Sequence, residues 1–427
     1  MKKQSVFKMF NRNFWTVITM EFFERGAYYG VMSVLSVYMI LSTDDGGLGF
    51  GKQDVGLIKG VITPLLYLLP ILSGAIADKF GYRKTLMFSF VVMSLGYFLT
   101  SMMTSFTGVF LALLLMVVGA GFFKPIISGT IARETNVNTS GLGFGIFYWS
   151  INLGAFLFPL FVIPYLKGFA WSYIFIMAGF VTGSMLLLNI FVYREPDRPD
   201  TGKSLGDALK GILLVLLDFR FVIMIAIYSC FWILYFQMFD TVLWYLTEYM
   251  DMTPVNNAVN SMLRVFVENP AWKFEAEHVT VINAGTIIAL QLLISAIVRK
   301  TKALPTMIVG IALGTIGMAV LALSSSAWFF IAGMVIFSIG EMTAHPKFIS
   351  YVGLIAPEDK KALYLGYSFL YGVIGSSVGA FLGAWAYVKF VEQMHRPDIL
   401  WLMFSSIGVF TIIGLLLFNR FLAPRAK

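Results

Sequence analysis

Three apolar stretches of this chain carry charges that an apolar stretch does not need. The first reads EFFERGAYYG, Glu21 to Gly30, and its Glu21, Glu24, Arg25, Tyr28 and Tyr29 fall three and four residues apart, on one face of a helix. The second, GAGFFKP, holds Lys124, and the third, FSIGEMTAHP, holds Glu341 with His345 one turn further on. Cations and carboxylates on apolar helices can bind opposite ends of a zwitterion, or exchange protons as their surroundings change. An ion-pair network that only locks the bundle is the alternative, although packing alone could use cheaper apolar residues. No catalytic constellation accompanies these groups, so an enzyme is not expected.

The rest of the chain says what positions them. Its 427 residues are 58% hydrophobic and only 13% charged, with a mean hydropathy of +0.81, whereas a soluble domain is about a quarter charged. Lipid must solvate most of the outer surface. The single cysteine, Cys230, and three scattered histidines, His278, His345 and His395, give no disulfide framework or zinc site, and neither metal nor cofactor is expected. The net charge of +8 reads as basic loops beside a membrane, not as nucleic-acid binding.

Spans of about 20 apolar residues fall near 14–42, 54–77, 84–104, 106–132, 141–164 and 171–193, then near 220–247, 279–298, 304–324, 327–352, 361–388 and 399–421. The basic N-terminus runs into the first of these without a small-residue cleavage site, which reads as a spanning helix and not a signal peptide. An even count puts both termini on one side. Placing them in the cytoplasm puts Lys2, Lys3, Lys79, Arg83, Lys84, Arg133, Arg198, Lys203, Arg425 and Lys427 inside. Only Lys52, Lys59, Lys167, Arg264, Lys273, Lys389 and Arg396 are left outside. The expectation is an all-α integral protein of the cell (plasma or inner) membrane, acting as a monomer in the bilayer. Residues 1–193 form one six-helix bundle, 194–219 a cytoplasmic linker and 220–427 a second bundle. The outer loop 248–278 is expected to hold an amphipathic helix around Val255–Val267.

Counted inward at ~1.5 Å per residue, Arg25, Lys124 and Glu341 lie ~16, ~14 and ~16 Å from the cytoplasmic ends of their helices. They share one level near the midplane.

This 6+6 layout is that of the major facilitator superfamily. GAIADKFGYRK, Gly74 to Lys84, matches its loop signature G-x-x-x-D-x-x-G-x-R-K. There Gly74 would allow close helix approach and Gly81 a tight turn. Within the superfamily the chain resembles the proton-dependent oligopeptide transporters. ERGAYYG is similar to E-R-F-x-Y-Y-G, with Gly26 in place of Phe, and GAGFFKPIIS to G-x-G-x-F-K-P-x-x-S. FYWSINLGAFLFP, FWILYFQ and FSIGEMTAHPKFISYVGLIAP resemble three further motifs. The resemblance implies a proton-coupled symporter of di- and tripeptides. Arg25 and Lys124 would take the substrate carboxylate and Glu341 its amino end. Tyr28, Tyr29, Tyr67, Asn152 and Asn283 would line the pocket, and Glu21, Glu24 and Glu341 would couple protons. Another small carboxylate-bearing solute, or proton-coupled export, is the alternative.

The departures from the family are informative. A second arginine and a glutamate that usually pair across helices one and seven are replaced by Met32 and Phe236, and Ser368 and Gly372 replace a Trp and a Ser. Lys59 and Asp240 lie ~8 and ~10 Å below the outer ends of helices two and seven. Opposite charges at matching depth are expected to form a replacement gate, the alternative being that Lys59 merely snorkels to the outer headgroups.

Overall fold

The computed structural model describes residues 6–136, 138–196, 205–357 and 360–422. Linker residues 197–204 and the basic residues Lys2, Lys3, Arg198, Lys203, Arg425 and Lys427 lie outside the described residues. The long helices are α1 (Arg12–Ile40), α2 (Lys52–Phe80), α3 (Tyr82–Met102), α4 (Phe106–Glu134), α5 (Ser140–Lys167) and α6 (Ser172–Phe191). They continue with α7 (Phe219–Tyr249), α8 (Glu277–Val298), α9 (Ala303–Leu323), α10 (Ala327–Ile355), α11 (Leu363–Gln393) and α12 (Pro397–Phe421).

Eleven of these are long and apolar enough to cross a membrane. The twelfth, α1, has the length, 29 residues, but concentrates Glu21, Glu24 and Arg25 at its middle. Side chains such as Leu292 and Phe410, 86% and 68% exposed, would be costly against water and fit a lipid-facing surface.

By compactness the chain divides into two units. One comprises Met1–Val31 and Val61–Asp218; the other comprises Met32–Gly60 and Phe219–Lys427. The loop end of the α1–α2 hairpin therefore belongs with α7–α12, while the remainder of both helices belongs with α3–α6.

In the first unit, α5 lies against α1 at backbone distance. A Cβ on Gly154 would sit 2.9 Å from the Gly26 nitrogen, and one on Gly26 would enter the Phe158 ring. Phe158 opens a π-helical turn, Phe158–Val162, which fills the space that a larger residue at position 26 would need. At the α2–α3 turn Gly81 has φ 103°, a left-handed conformation that side chains resist. Gly74 is different from expectation: a Cβ there would make only a 3.7 Å contact with Pro125, so close approach does not require it. Around this turn Glu195 accepts from the Tyr82 and Arg83 amides (2.6 and 3.1 Å), and Asp78 lies 3.6 Å from Arg133.

In the second unit the helix expected near Val255–Val267 forms over Thr253–Leu263, and residues 264–267 leave it. The linker's latter part also forms a helix, Leu205–Leu216, within the first unit.

Candidate functional site

Each unit holds its own polar cluster inside apolar surroundings. In the first, Glu21, Glu24 and Arg25 are buried, at 2%, 0% and 3% exposure. Arg25 donates two hydrogen bonds to Glu24, through Nε at 2.5 Å and Nη2 at 2.7 Å. Its Nε lies 3.7 Å from Glu21 Oε1. The guanidinium also sits over the Tyr28 ring at 4.7 Å and the Tyr29 ring at 5.9 Å, where cation–π attraction holds it against α1. The other Glu21 oxygen, Oε2, is buried with no hydrogen-bond partner among the described residues. An orphaned carboxylate oxygen away from water is a natural seat for a proton.

Lys124 reaches the cluster from α4. It is half-buried, its ammonium 5.5 Å from the centre of the Tyr67 ring. Among the described residues it makes neither an ion pair within 4.0 Å nor a hydrogen bond. Arg25 is thus held in contact by its neighbours, whereas Lys124 lies in the field of the same two carboxylates without touching either. Asn152 is buried but turns its amide to its own helix, donating to the Tyr148 carbonyl at 2.9 Å.

In the second unit, Asn283 on α8 donates to Glu341 Oε2 at 2.8 Å and lies 3.0 Å from Ser338 Oγ. Ser338 is anchored on the Met334 carbonyl. Glu341 is half-buried and has no ion pair among the described residues. One turn along α10, His345 meets the Tyr228 hydroxyl at 3.3 Å, with the Trp232 and Tyr371 rings at 5.3 and 5.5 Å. Among the described residues this histidine meets no backbone carbonyl. The tyrosine on α7 reaches it first.

Lys59 and Asp240 belong to the second unit and form an ion pair, their side chains each 7% exposed. Lys59 also donates to the Phe239 carbonyl at 2.8 Å. At this point α7 tightens into a 3-10 turn, Gln237–Phe239, and breaks at Asp240 (φ −137°, ψ −93°). Met32 and Phe236 are buried and apolar.

The sequence did not single out a further set of residues at the same end of α2. Lys52 contacts Glu248 at 2.7 Å and Glu392 at 2.5 Å, and its ammonium stands 4.9 Å from the Tyr387 ring centre. Tyr387 in turn donates to Glu248 Oε2 at 2.8 Å. The available signal was the seven-residue spacing of Lys52 and Lys59, which puts both on one face of α2.

The family model described as Major Facilitator Superfamily matches residues 15–268, more than half of the chain. Among curated proteins, the peptide transporter YePEPT of Yersinia enterocolitica is 30% identical over 178 residues, 40% of this chain and 34% of its own length. A di-/tripeptide transporter of Lactococcus lactis is 28% identical over 48% of this chain and 44% of its own. Dipeptide and tripeptide permease B of Salmonella typhimurium is 29% identical, over 52% and 45%. The chain therefore spans less than half the length of these relatives. The fold extends further. A crystal structure of a peptide transporter in complex with sulfate superposes with a TM-score of 0.77 at 18% identity, covering 98% of this chain and 95% of that one. A POT family transporter in complex with 5-aminolevulinic acid gives 0.74 at 22% identity, covering 96% of each.

Proposed function

The chain belongs to the major facilitator superfamily, and on that premise we propose that it is a proton-coupled symporter importing di- and tripeptides by alternating access. The observation that carries this is Lys124, a half-buried ammonium on an apolar helix that touches no carboxylate among the described residues. Intramembrane charge is expensive and is retained where it meets a ligand or an ion pathway. The two cations Arg25 and Lys124 balance the two carboxylates Glu21 and Glu24. A substrate carboxylate adds one negative charge to that balance, and in a low-dielectric site a proton on Glu21 or Glu24 cancels it. A proton on Glu24 also loosens its hold on Arg25, releasing a second donor for the substrate. Uptake of carboxylate and proton is thereby linked through charge balance.

Glu341, steadied by Asn283, is assigned the substrate's amino end and a part in proton exchange. Tyr28, Tyr29 and Tyr67 brace the cations, and Asn152 serves the pocket through its oxygen, since its amide is engaged in its own helix. The names of the Yersinia, Lactococcus and Salmonella relatives support peptide as the substrate. The basic residues support a cell-membrane orientation with both termini in the cytoplasm, and the protein is taken to act as a monomer. A second reading is a smaller zwitterion bearing one amine and one carboxylate. It is favoured by the solved transporter of this fold that holds 5-aminolevulinic acid. Competition of labelled dipeptide uptake into proteoliposomes, under an inward proton gradient, by unlabelled peptides and single amino acids separates the two. Proton movement that no peptide accelerates would remove the symport proposal.

A further inference from the structure

We propose that Tyr97 is a positioning residue for Glu24: its hydroxyl takes over the Glu24 carboxyl when Arg25 turns from that carboxyl to the substrate. This rests on the transporter reading above and names the group that lets Arg25 go.

Tyr97 is fully buried, and its hydroxyl has no hydrogen-bond partner among the described residues. A phenylalanine would fill the same space without leaving a polar group dry, and a buried hydroxyl with no partner is costly. Its neighbours on α3 show where it points. On one side, a Cβ on Gly96 would come 2.4 Å from the Met116 nitrogen, and one on Gly119 would come 2.6 Å from the Met93 nitrogen. There α3 and α4 meet backbone to backbone. On the other side, Ser94 donates to the Gly179 carbonyl at 2.8 Å, and a Cβ on Gly179 would lie 3.1 Å from the Phe98 ring. That is the seam with α6. At ~100° per residue, Tyr97 falls between the two seams and faces the interior of the first unit. Counted from the starts of α3 and α1, Tyr97 lies ~22 Å along and Glu24 ~18 Å, a difference shorter than a tyrosine side chain. Of the charges that act on Tyr97, Glu24 comes first and Arg25 second, with Tyr28 beside them.

At rest Glu24 makes no call on this hydroxyl. Arg25 holds both of its oxygens, at 2.5 and 2.7 Å, and the carboxyl is wholly buried. A substrate carboxylate that draws Arg25 away leaves those oxygens short of a donor in a dry site. Tyr28 and Tyr29 present their rings to Arg25, whereas Tyr97 has an O–H that no described residue engages. A phenol suits either state of Glu24, since it donates to a carboxylate and accepts from a carboxylic acid. Glu24 can therefore part from Arg25 before or after it takes a proton. Tyr97 eases the exchange without touching the substrate.

The test separates the hydroxyl from the ring. In the purified protein without substrate, Tyr97→Phe leaves the melting temperature unchanged or higher. On an Arg25→Met background the same change lowers it by several degrees, because Tyr97 is then the donor that Glu24 uses. Arg25→Lys, which offers a single ammonium at shorter reach, serves the same comparison if Arg25→Met does not fold. With substrate, Tyr97→Phe raises the dipeptide Kd about tenfold while the substrate-free melting temperature holds. A fall in melting temperature on Tyr97→Phe alone overturns the proposal, because the hydroxyl would then serve the resting bundle. So does an effect of equal size on both backgrounds, or a dipeptide Kd within about twofold of a parent that binds. A parent that binds no dipeptide removes the peptide reading instead, and the substrate-free comparison still decides the role of Tyr97.

Discussion

Replacing Lys124 by Met separates a binding cation from a structural one, because the two roles move stability in opposite directions. Methionine keeps most of the length and apolar stem of the side chain and deletes the ammonium. A charge-assisted hydrogen bond to a substrate carboxylate contributes about 1.5–3 kcal/mol, which corresponds to roughly 10- to 150-fold in affinity. With no ion pair in place at Lys124 among the described residues, the full contact is available to the substrate. The peptide KM is therefore expected to rise by about that factor in proteoliposome uptake driven by a proton gradient. The loss of one positive charge also leaves two carboxylates facing Arg25 alone. One of them then holds a proton before substrate arrives, and accumulation against a gradient should fail even at saturating peptide. Stability should go the other way: removing a half-buried ammonium that touches no carboxylate among the described residues leaves the melting temperature unchanged or higher. A KM within about twofold of the parent refutes the binding role. A melting temperature that drops by several degrees refutes the argument altogether, because it would show that the ammonium holds the bundle together.

Three further outcomes are expected. Glu21→Gln removes the carboxylate with the orphaned oxygen, so peptide exchange at equal concentrations persists while the pH dependence of uptake flattens; an unchanged pH profile counts against it. Glu341→Gln keeps the Asn283 contact but loses concentrative uptake, and a variant that still accumulates peptide uphill shows that this carboxylate is dispensable. Gly154→Ala drives a methyl into the backbone of α1 at Phe22 and Gly26, with an expected cost of about 1–3 kcal/mol and a clear fall in melting temperature; a variant as stable as the parent would mean that α5 stands off from α1.

How much of this could be read beforehand follows from what each residue costs. Arg25, Lys124 and Glu341 were legible because a charge in an apolar helix has few cheap explanations. Lys59 and Asp240 were legible from depth alone, since rise per residue fixes height in a straight span. The partners of Lys52 were not. Glu248 and Glu392 face it only because α7 breaks at Asp240 and α11 widens near its end, and no periodicity rule anticipates either departure. Asn152 was named only through the family resemblance, and its preference for the Tyr148 carbonyl is a local competition that sequence spacing does not decide. Gly26 was visible as a departure and became intelligible only once Phe158 was seen in the space. The hairpin end Met32–Gly60 joins the second compact unit, a grouping set by packing across sequence-distant helices that chain order conceals.

The widened turn at Tyr387–Gln393 also limits how the gene can change length. A π-helical turn holds one residue more than its α-helical equivalent, so losing any single residue within it, Val388 for instance, returns the helix to ordinary spacing. The turns on either side then keep their phase, because the lost residue is the one the wide turn had absorbed. The same deletion in the regular stretch Leu370–Ala386 turns everything beyond it by ~100° about the axis and carries Glu392 away from Lys52. A one-codon deletion should therefore be far more harmful in that stretch than in the widened turn.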